Sequence, residues 1–198
     1  VRLAPTPTIT NDRILPTSLV SSSASRELAL SACPGEYEPV SFVVTPSRNI
    51  KGLTVTCSDL TSVNGVIDAA AIDIKLVKCW YQSYDLENPW EPTGAQQIKG
   101  KVLLPELLVN DDNLVRVDLE RKRNLLRVAD PKTGEERYED ITGNNARLTR
   151  KLVIRDADTL QPVNIPAGQV RQFWVTVHVP DDASAGTYEG KIIVRCQG

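Results

Sequence analysis

The sequence predicts an all-β fold, a two-sheet and mostly antiparallel β-sandwich. Short runs rich in β-forming residues recur along the chain and are separated by turn residues. Residues 173–179 alternate between an apolar set and a second set that holds Trp174 and His178. No stretch of a dozen residues keeps the apolar face of an amphipathic helix. Strands packed in two layers satisfy all three observations.

The predicted elements follow the chain in order. Turn residues break it at Pro34 and Gly35, at Pro46, and at Asn64 and Gly65. Residues 68–71 and 105–109 each fit a single helical turn. We expect the last two strands to pair as a hairpin across the loop 180–186. The predicted strands are residues 28–32, 40–44, 53–57, 72–81, 114–119, 125–128, 148–155, 173–179 and 187–196.

Size and charge limit the possible roles. A chain of 198 residues fits one domain, which we take as residues 1–198. The formal net charge is −2, and no run is apolar for the length of a membrane span, so we expect neither nucleic acid nor a membrane as partner. The chain has no methionine and begins at Val1, and we therefore expect a piece excised from a longer multidomain protein.

The motifs of catalysis are missing from the sequence. His178 is the only histidine, which leaves a single candidate for a His base. There is no G-x-S-x-G nucleophile motif and no glycine-rich phosphate loop. A glycosidase needs two carboxylates at a defined separation, which no sequence can display. We therefore predict a domain without catalytic residues of its own.

Two features raise the question of metals and disulfides. Asp111 and Asp112 lie in an Asn/Asp-rich turn and are candidate ligands for a structural Ca²⁺, although an ordinary turn explains them equally well. The four cysteines contain no C-x-x-C pair, which argues against zinc. Three of them lie in strand-like runs, which favours buried free thiols and leaves one or two disulfides open.

Aromatic residues are concentrated in one segment. Of the ten aromatic residues, four lie between positions 80 and 90, namely Trp80, Tyr81, Tyr84 and Trp90. Exposed rings offer flat apolar platforms for the C–H faces of sugars, and Trp174 is a further candidate. In the alternative interpretation, Trp80 and Trp90 plug the end of the sandwich.

Three stretches carry a resemblance to a known family. Residues 171–190 resemble the closing hairpin of the N-terminal β-sandwich domains that precede catalytic barrels in bacterial glycoside hydrolases of the β-N-acetylgalactosaminidase-like group. Residues 35–44 and 104–108 are similar to other segments of such domains. The resemblance implies an accessory domain, with the catalytic residues in a following barrel of the same longer chain.

Three functions follow from these observations. The first is a carbohydrate-binding module of a secreted, cell-surface or periplasmic enzyme, which binds a polysaccharide or oligosaccharide through Trp80, Tyr81, Tyr84, Trp90 and Trp174. The second is a purely structural domain that packs against its catalytic neighbour. The third is a glycan-acting enzyme in its own right. Exposure of the aromatic rings separates the first two.

Overall fold

The computed structural model describes residues 1–10, 12–20, 25–84, 100–142 and 153–197. Thirteen strands lie in this part of the chain, and all of their pairings are antiparallel. The strands are β1 Arg2–Thr6, β2 Tyr37–Thr45, β3 Ile50–Cys57, β4 Leu60–Ser62, β5 Gly65–Ile67, β6 Ile72–Tyr84, β7 Gly100–Val109, β8 Val115–Asp118, β9 Arg123–Ala129, β10 Glu136–Asp140, β11 Val163–Ile165, β12 Arg171–His178 and β13 Ile192–Gln197. The predicted all-β class is confirmed.

The strands form two layers around one core. The larger sheet has the order β1-β2-β12-β6-β7, and two three-stranded sheets, β10-β9-β8 and β11-β3-β13, pack against its inner face. Strand β12 lies at the centre of the larger sheet, where fully buried Phe173 stacks on Phe42 with ring centroids 5.3 Å apart. Alternation along β12 places Phe173, Val175 and Val177 in the core, as the sequence pattern predicts.

The predicted closing hairpin is wrong. Strand β12 pairs with β2 and β6, whereas β13 crosses to the other layer and pairs with β3. Residues 181–190 make this crossing, and their only bridge joins Glu189 to Thr61. The alternating pattern predicts which residues of each strand face the core, but the two layers share one core. It therefore could not say which sheet each strand joins.

Other predicted elements divide into confirmed and wrong ones. Strands at 40–44, 53–57, 72–81, 114–119 and 125–128 are confirmed within a few residues, as is a helical turn at Ala69–Ala71. Residues 28–32 form no strand, and residues 105–109 belong to β7 rather than to a helical turn. Proline is tolerated in β7 because it is the edge strand of its sheet. The predicted strand 148–155 lies mostly outside the described residues.

A buried side chain joins the two layers at one end of β6. The amide of Asn124, on β9, is 1% exposed and bonds the backbone of Tyr81 twice. Tyr81 N donates to Asn124 Oδ1 over 2.9 Å, and Asn124 Nδ2 donates to Tyr81 O over 2.6 Å. Strand β12 pairs with β6 only from Ile72 to Val77, so the Asn124 amide takes the place of a strand neighbour beyond that point.

The four cysteines are free thiols in the structure. Cys57 and Cys79 are half-buried, whereas Cys33 and Cys196 are exposed. The burial expected for cysteines in strand-like runs does not hold for Cys196, which is exposed near the end of β13. Burial raises the pKa of Cys79 to about 11, against the opposing charges of Arg171 and Lys78.

Replacement of Asn124 by Ala should lower the free energy of unfolding by about 2–4 kcal/mol, because it leaves the buried backbone N–H and C=O of Tyr81 without these hydrogen-bond partners. Urea denaturation followed by intrinsic fluorescence measures the change. The matched control is Asn49→Ala, since Asn49 also accepts from a backbone N–H, that of Ala167, but at the surface, where water can replace it. Equal losses in the two variants would contradict the proposed role.

Thiol reactivity should separate the four cysteines into two classes. At pH 8 an aromatic disulfide reagent should label Cys33 and Cys196 quickly and Cys79 slowly, because the thiolate is the reactive form and the pKa of Cys79 is raised. Peptide mass spectrometry identifies the labelled sites, and labelling in urea supplies the reference for full access. Labelling of Cys79 as fast as that of Cys33 would show that the N-terminal residues above it do not stay in place.

Candidate functional site

The outer face of the larger sheet carries a groove of about 500 Å³. Its floor comes from β6, β7 and β12, and its wall comes from an N-terminal segment, residues 7–10 and 12–14, that crosses the sheet. Backbone contacts hold the chain near this segment, including Val170 N to Pro16 O over 2.9 Å. The lining residues are Pro7, Thr8, Thr10, Asp12, Arg13, Ile14, Val77, Pro105, Glu106, Leu108, Gln172 and Trp174.

Trp174 is the aromatic residue of the groove. It points away from the core because it alternates with Phe173 and Val175 along β12. Its cross-strand neighbours are Ser41 on β2 and Lys75 on β6. The half-buried ring lies in a lining that mixes apolar side chains with a few polar ones, which is the usual composition of a small-ligand site.

Glu106 is the acidic group on the floor of the groove, and a β-bulge sets its position. Lys78 faces Leu107 and Cys79 faces Pro105 across the β6–β7 pair, so Glu106 has no partner in register. Such bulges turn a side chain in a new direction. The carboxylate of Glu106 accepts two hydrogen bonds at Oε2, from Trp80 Nε1 over 2.9 Å and from Gln82 Nε2 over 2.8 Å.

Among the described side chains, the predicted aromatic residues Trp80, Tyr81 and Trp174 do not form one platform. Trp80 is half-buried and joins the groove indirectly, through its hydrogen bond to Glu106. Tyr81 is 8% exposed, and its hydroxyl donates to Leu119 O over 3.3 Å, so it does not fit the role of an exposed ring. Tyr84 ends β6, but its side chain lies outside the described residues, as does Trp90.

Glu106 escaped the sequence analysis, which assigned it to a helical turn. A proline between two pairs of leucines is the signal that could have revealed it, since an edge strand with a bulge accommodates such a residue. Gln172 carried no sequence signal, because isolated amides in strands are common on any surface.

The predicted calcium ligands have other partners. Arg127 Nη1 donates to Asp111 Oδ2 over 2.7 Å, and Lys78 Nζ donates to Asp112 Oδ1 over 2.6 Å. Two protein cations thus neutralise the carboxylates that were expected to hold Ca²⁺. Among the described residues, no group of three or more His, Cys, Asp or Glu side chains could hold a metal ion. The turn is an ion-paired surface turn in this structure, and calcium binding there stays a prediction.

His178 is the sole histidine and lies apart from the groove residues. Its ring stacks on that of Tyr37 with centroids 4.2 Å apart and planes 10° from parallel. It is half-buried on β12, as the alternation predicts.

Among the described residues, the helical content is one three-residue turn, which is far too short to cross a membrane.

Comparison with known proteins points to one family. Residues 132–196 match the family model described as the glycoside hydrolase 123 N-terminal domain. The match covers a third of the chain. It includes β12 and β13, and it contains the stretch 171–190 on which the sequence resemblance depends. The C-terminal third of the chain is therefore similar to an N-terminal domain of family 123 glycoside hydrolases.

One solved structure with this likeness is a family 123 glycoside hydrolase from Clostridium perfringens, described in connection with glycolipid glycan hydrolysis. It is 17% identical, with a TM-score of 0.45 over 84% of this chain. This chain spans 19% of the length of that protein. Among curated proteins, none matches.

The ion pair of Asp111 should give a pH-dependent contribution to stability. Burial opposes ionisation of Asp111, but hydrogen bonds from Asn113 and Arg127 and the charge of Arg127 outweigh it and lower the pKa. Because the folded-state pKa lies below the unfolded value, the stabilisation is present at neutral pH and is lost as the pH falls through the folded-state pKa.

Asp111→Asn should therefore cost about 1–2 kcal/mol at pH 7, and this cost should shrink as the pH falls through the folded-state pKa, because the carboxyl then becomes protonated in the parent protein too. Denaturation curves over this pH range measure the difference. Asp182→Asn, a change at an exposed acid, is the control and should have no such pH dependence. A constant cost at every pH would contradict the ion-pair account.

Proposed function

We propose that this chain is a non-catalytic accessory domain of a glycoside hydrolase and that its outer-face groove binds a glycan. The observation that carries the proposal is the meeting of Trp174 and Glu106 in one groove on the outer face of a β-sandwich. The match of residues 132–196 to a glycoside hydrolase N-terminal domain supports the accessory role.

The chemistry of the groove suits a sugar. An indole face supplies apolar area for C–H groups, while a carboxylate and an amide can bond hydroxyls at its edge. Glu106 provides the carboxylate and Gln172 the amide, and Gln172 Nε2 already donates to Ser41 Oγ over 3.1 Å. Most of these groups project from strands, which hold a site more firmly than loops do.

The catalytic domain belongs to the same longer protein in this proposal. The domain would hold a polysaccharide or oligosaccharide close to that neighbour and raise its local concentration. Export to the cell surface, the periplasm or the medium is part of the same proposal, since polymeric glycans are met there.

The structural role remains the second candidate because of one exposed apolar hairpin. Val63 and Val66, at the tip of β4 and β5, are 101% and 62% exposed. A tip of this kind could pack against a neighbouring domain. It shares no residue with the groove, so the two roles do not exclude each other.

Trp174→Ala should weaken glycan binding at least about tenfold, since removal of a stacking ring from a binding site costs on the order of 1–3 kcal/mol. Affinity gel electrophoresis against plant, fungal and host polysaccharides selects the ligand, and titration calorimetry then measures the affinity. Tyr138→Ala is the matched control, because Tyr138 is a half-buried surface ring on the opposite layer. The proposal fails if no glycan binds, or if Trp174→Ala binds as tightly as the parent protein.

A further inference from the structure

The charge of the groove sets a limit on the kind of glycan it can hold. Glu106 and Asp12 contribute two carboxylates and Arg13 one guanidinium, so the lining residues that the structure describes carry a net charge of −1. Lys75, beside Trp174, is engaged by Asp73 with Nζ and Oδ2 3.1 Å apart. The negative charge that lies on the floor of the groove is that of Glu106.

Glu106 cannot easily turn away from a ligand. An ordinary surface glutamate escapes an unfavourable neighbour by changing rotamer, at little cost. Here Trp80 Nε1 and Gln82 Nε2 both donate to Oε2. These bonds use two of the roughly four acceptor positions of the carboxylate, which leaves capacity for a hydroxyl donor from a ligand.

The donors to Glu106 are themselves fixed. Trp80 and Gln82 flank Tyr81, whose backbone is held by the buried amide of Asn124. The carboxylate is therefore placed before any ligand arrives, and binding does not have to order it. A fixed carboxylate attracts hydroxyl and ammonium groups and repels anions. Because Glu106 is exposed, this effect should be strongest at low ionic strength.

We infer that the groove selects glycans whose bound unit is neutral or carries an amine, and rejects units with a carboxylate or sulfate group, with Glu106 as the specificity-determining residue. This inference rests on the proposed function, because it names the class of glycan that the same groove takes. Sugar selection of this kind combines an attractive contact for one class with repulsion of another.

Charge-matched ligands test the inference. Cello-, xylo- and galacto-oligosaccharides are each prepared in the neutral form and as the sulfated derivative of the same chain, and chitin oligosaccharides are compared with the deacetylated form that bears amines. We expect the parent protein to bind the best neutral ligand about tenfold more tightly than its sulfated derivative at low ionic strength. Added salt should narrow this gap, since it screens the repulsion.

Glu106→Gln keeps an oxygen for the Trp80 and Gln82 hydrogen bonds and removes only the charge. It should bring the two affinities to within about threefold, chiefly by strengthening the sulfated ligand. Glu189→Gln is the control, because it makes the same change in net charge at an exposed acid outside the groove and should leave the affinity ratio as it is.

The possible outcomes separate the inference from the proposed function. If the sulfated ligands bind as tightly as the neutral ones, or if Glu106→Gln binds but keeps the tenfold ratio, the inference is overturned and glycan binding stands. If Glu189→Gln shifts the ratio as much as Glu106→Gln does, net charge rather than Glu106 is responsible, and the inference is again overturned. Absence of binding to every ligand, with Trp174→Ala indistinguishable from the parent, overturns both.

Discussion

The two hydrogen bonds between the Asn124 amide and the backbone of Tyr81 hold together parts of the molecule that no continuous sheet connects. Strand β6 is long, and β12 accompanies it only as far as Val77. Beyond that point the other edge of β6 would face the interior with unpaired backbone groups, which are costly to bury. A side-chain amide satisfies one N–H and one C=O at once, and it anchors β9 to β6 in the same step.

The arrangement of the groove on the outer face depends on these two buried hydrogen bonds. Because successive residues of a strand point to opposite sides, the backbone that is clamped at Tyr81 also fixes the directions of Trp80 and Gln82. Those two side chains reach the same oxygen of Glu106, which the bulge in β7 leaves without a register partner. The Asn124–Tyr81 contact and the bulge in β7 thus act together on the position of Glu106. Asn124 contributes to the groove in this way although it does not line it.

Sequence patterns predicted local features well and long-range ones poorly. Alternation in β12 identified Phe173 as core and Trp174 as surface, because a period of two is a property of the strand alone. It misassigned the partner of β13, since the choice of sheet depends on the path of residues 181–190. The sequence left open whether Tyr81 is exposed or buried, and in the structure the layer formed by β8 and β9 covers it. The carboxylates of Asp111 and Asp112 suggested a cation, and the structure supplies two, as Arg127 and Lys78.

One wall of the groove is formed by an N-terminal segment, residues 7–10 and 12–14, that lies outside any strand. Its attachments include weak or single contacts, such as Cys79 Sγ to Ile14 O over 3.5 Å, whereas the floor belongs to the central sheet. The wall of the groove should therefore move more easily than its floor. Cleavage within residues 7–10 or 12–14 would reshape the wall, while the floor stays in the paired strands β6, β7 and β12. The ligand-binding properties of the groove therefore depend in part on a segment that belongs to no sheet.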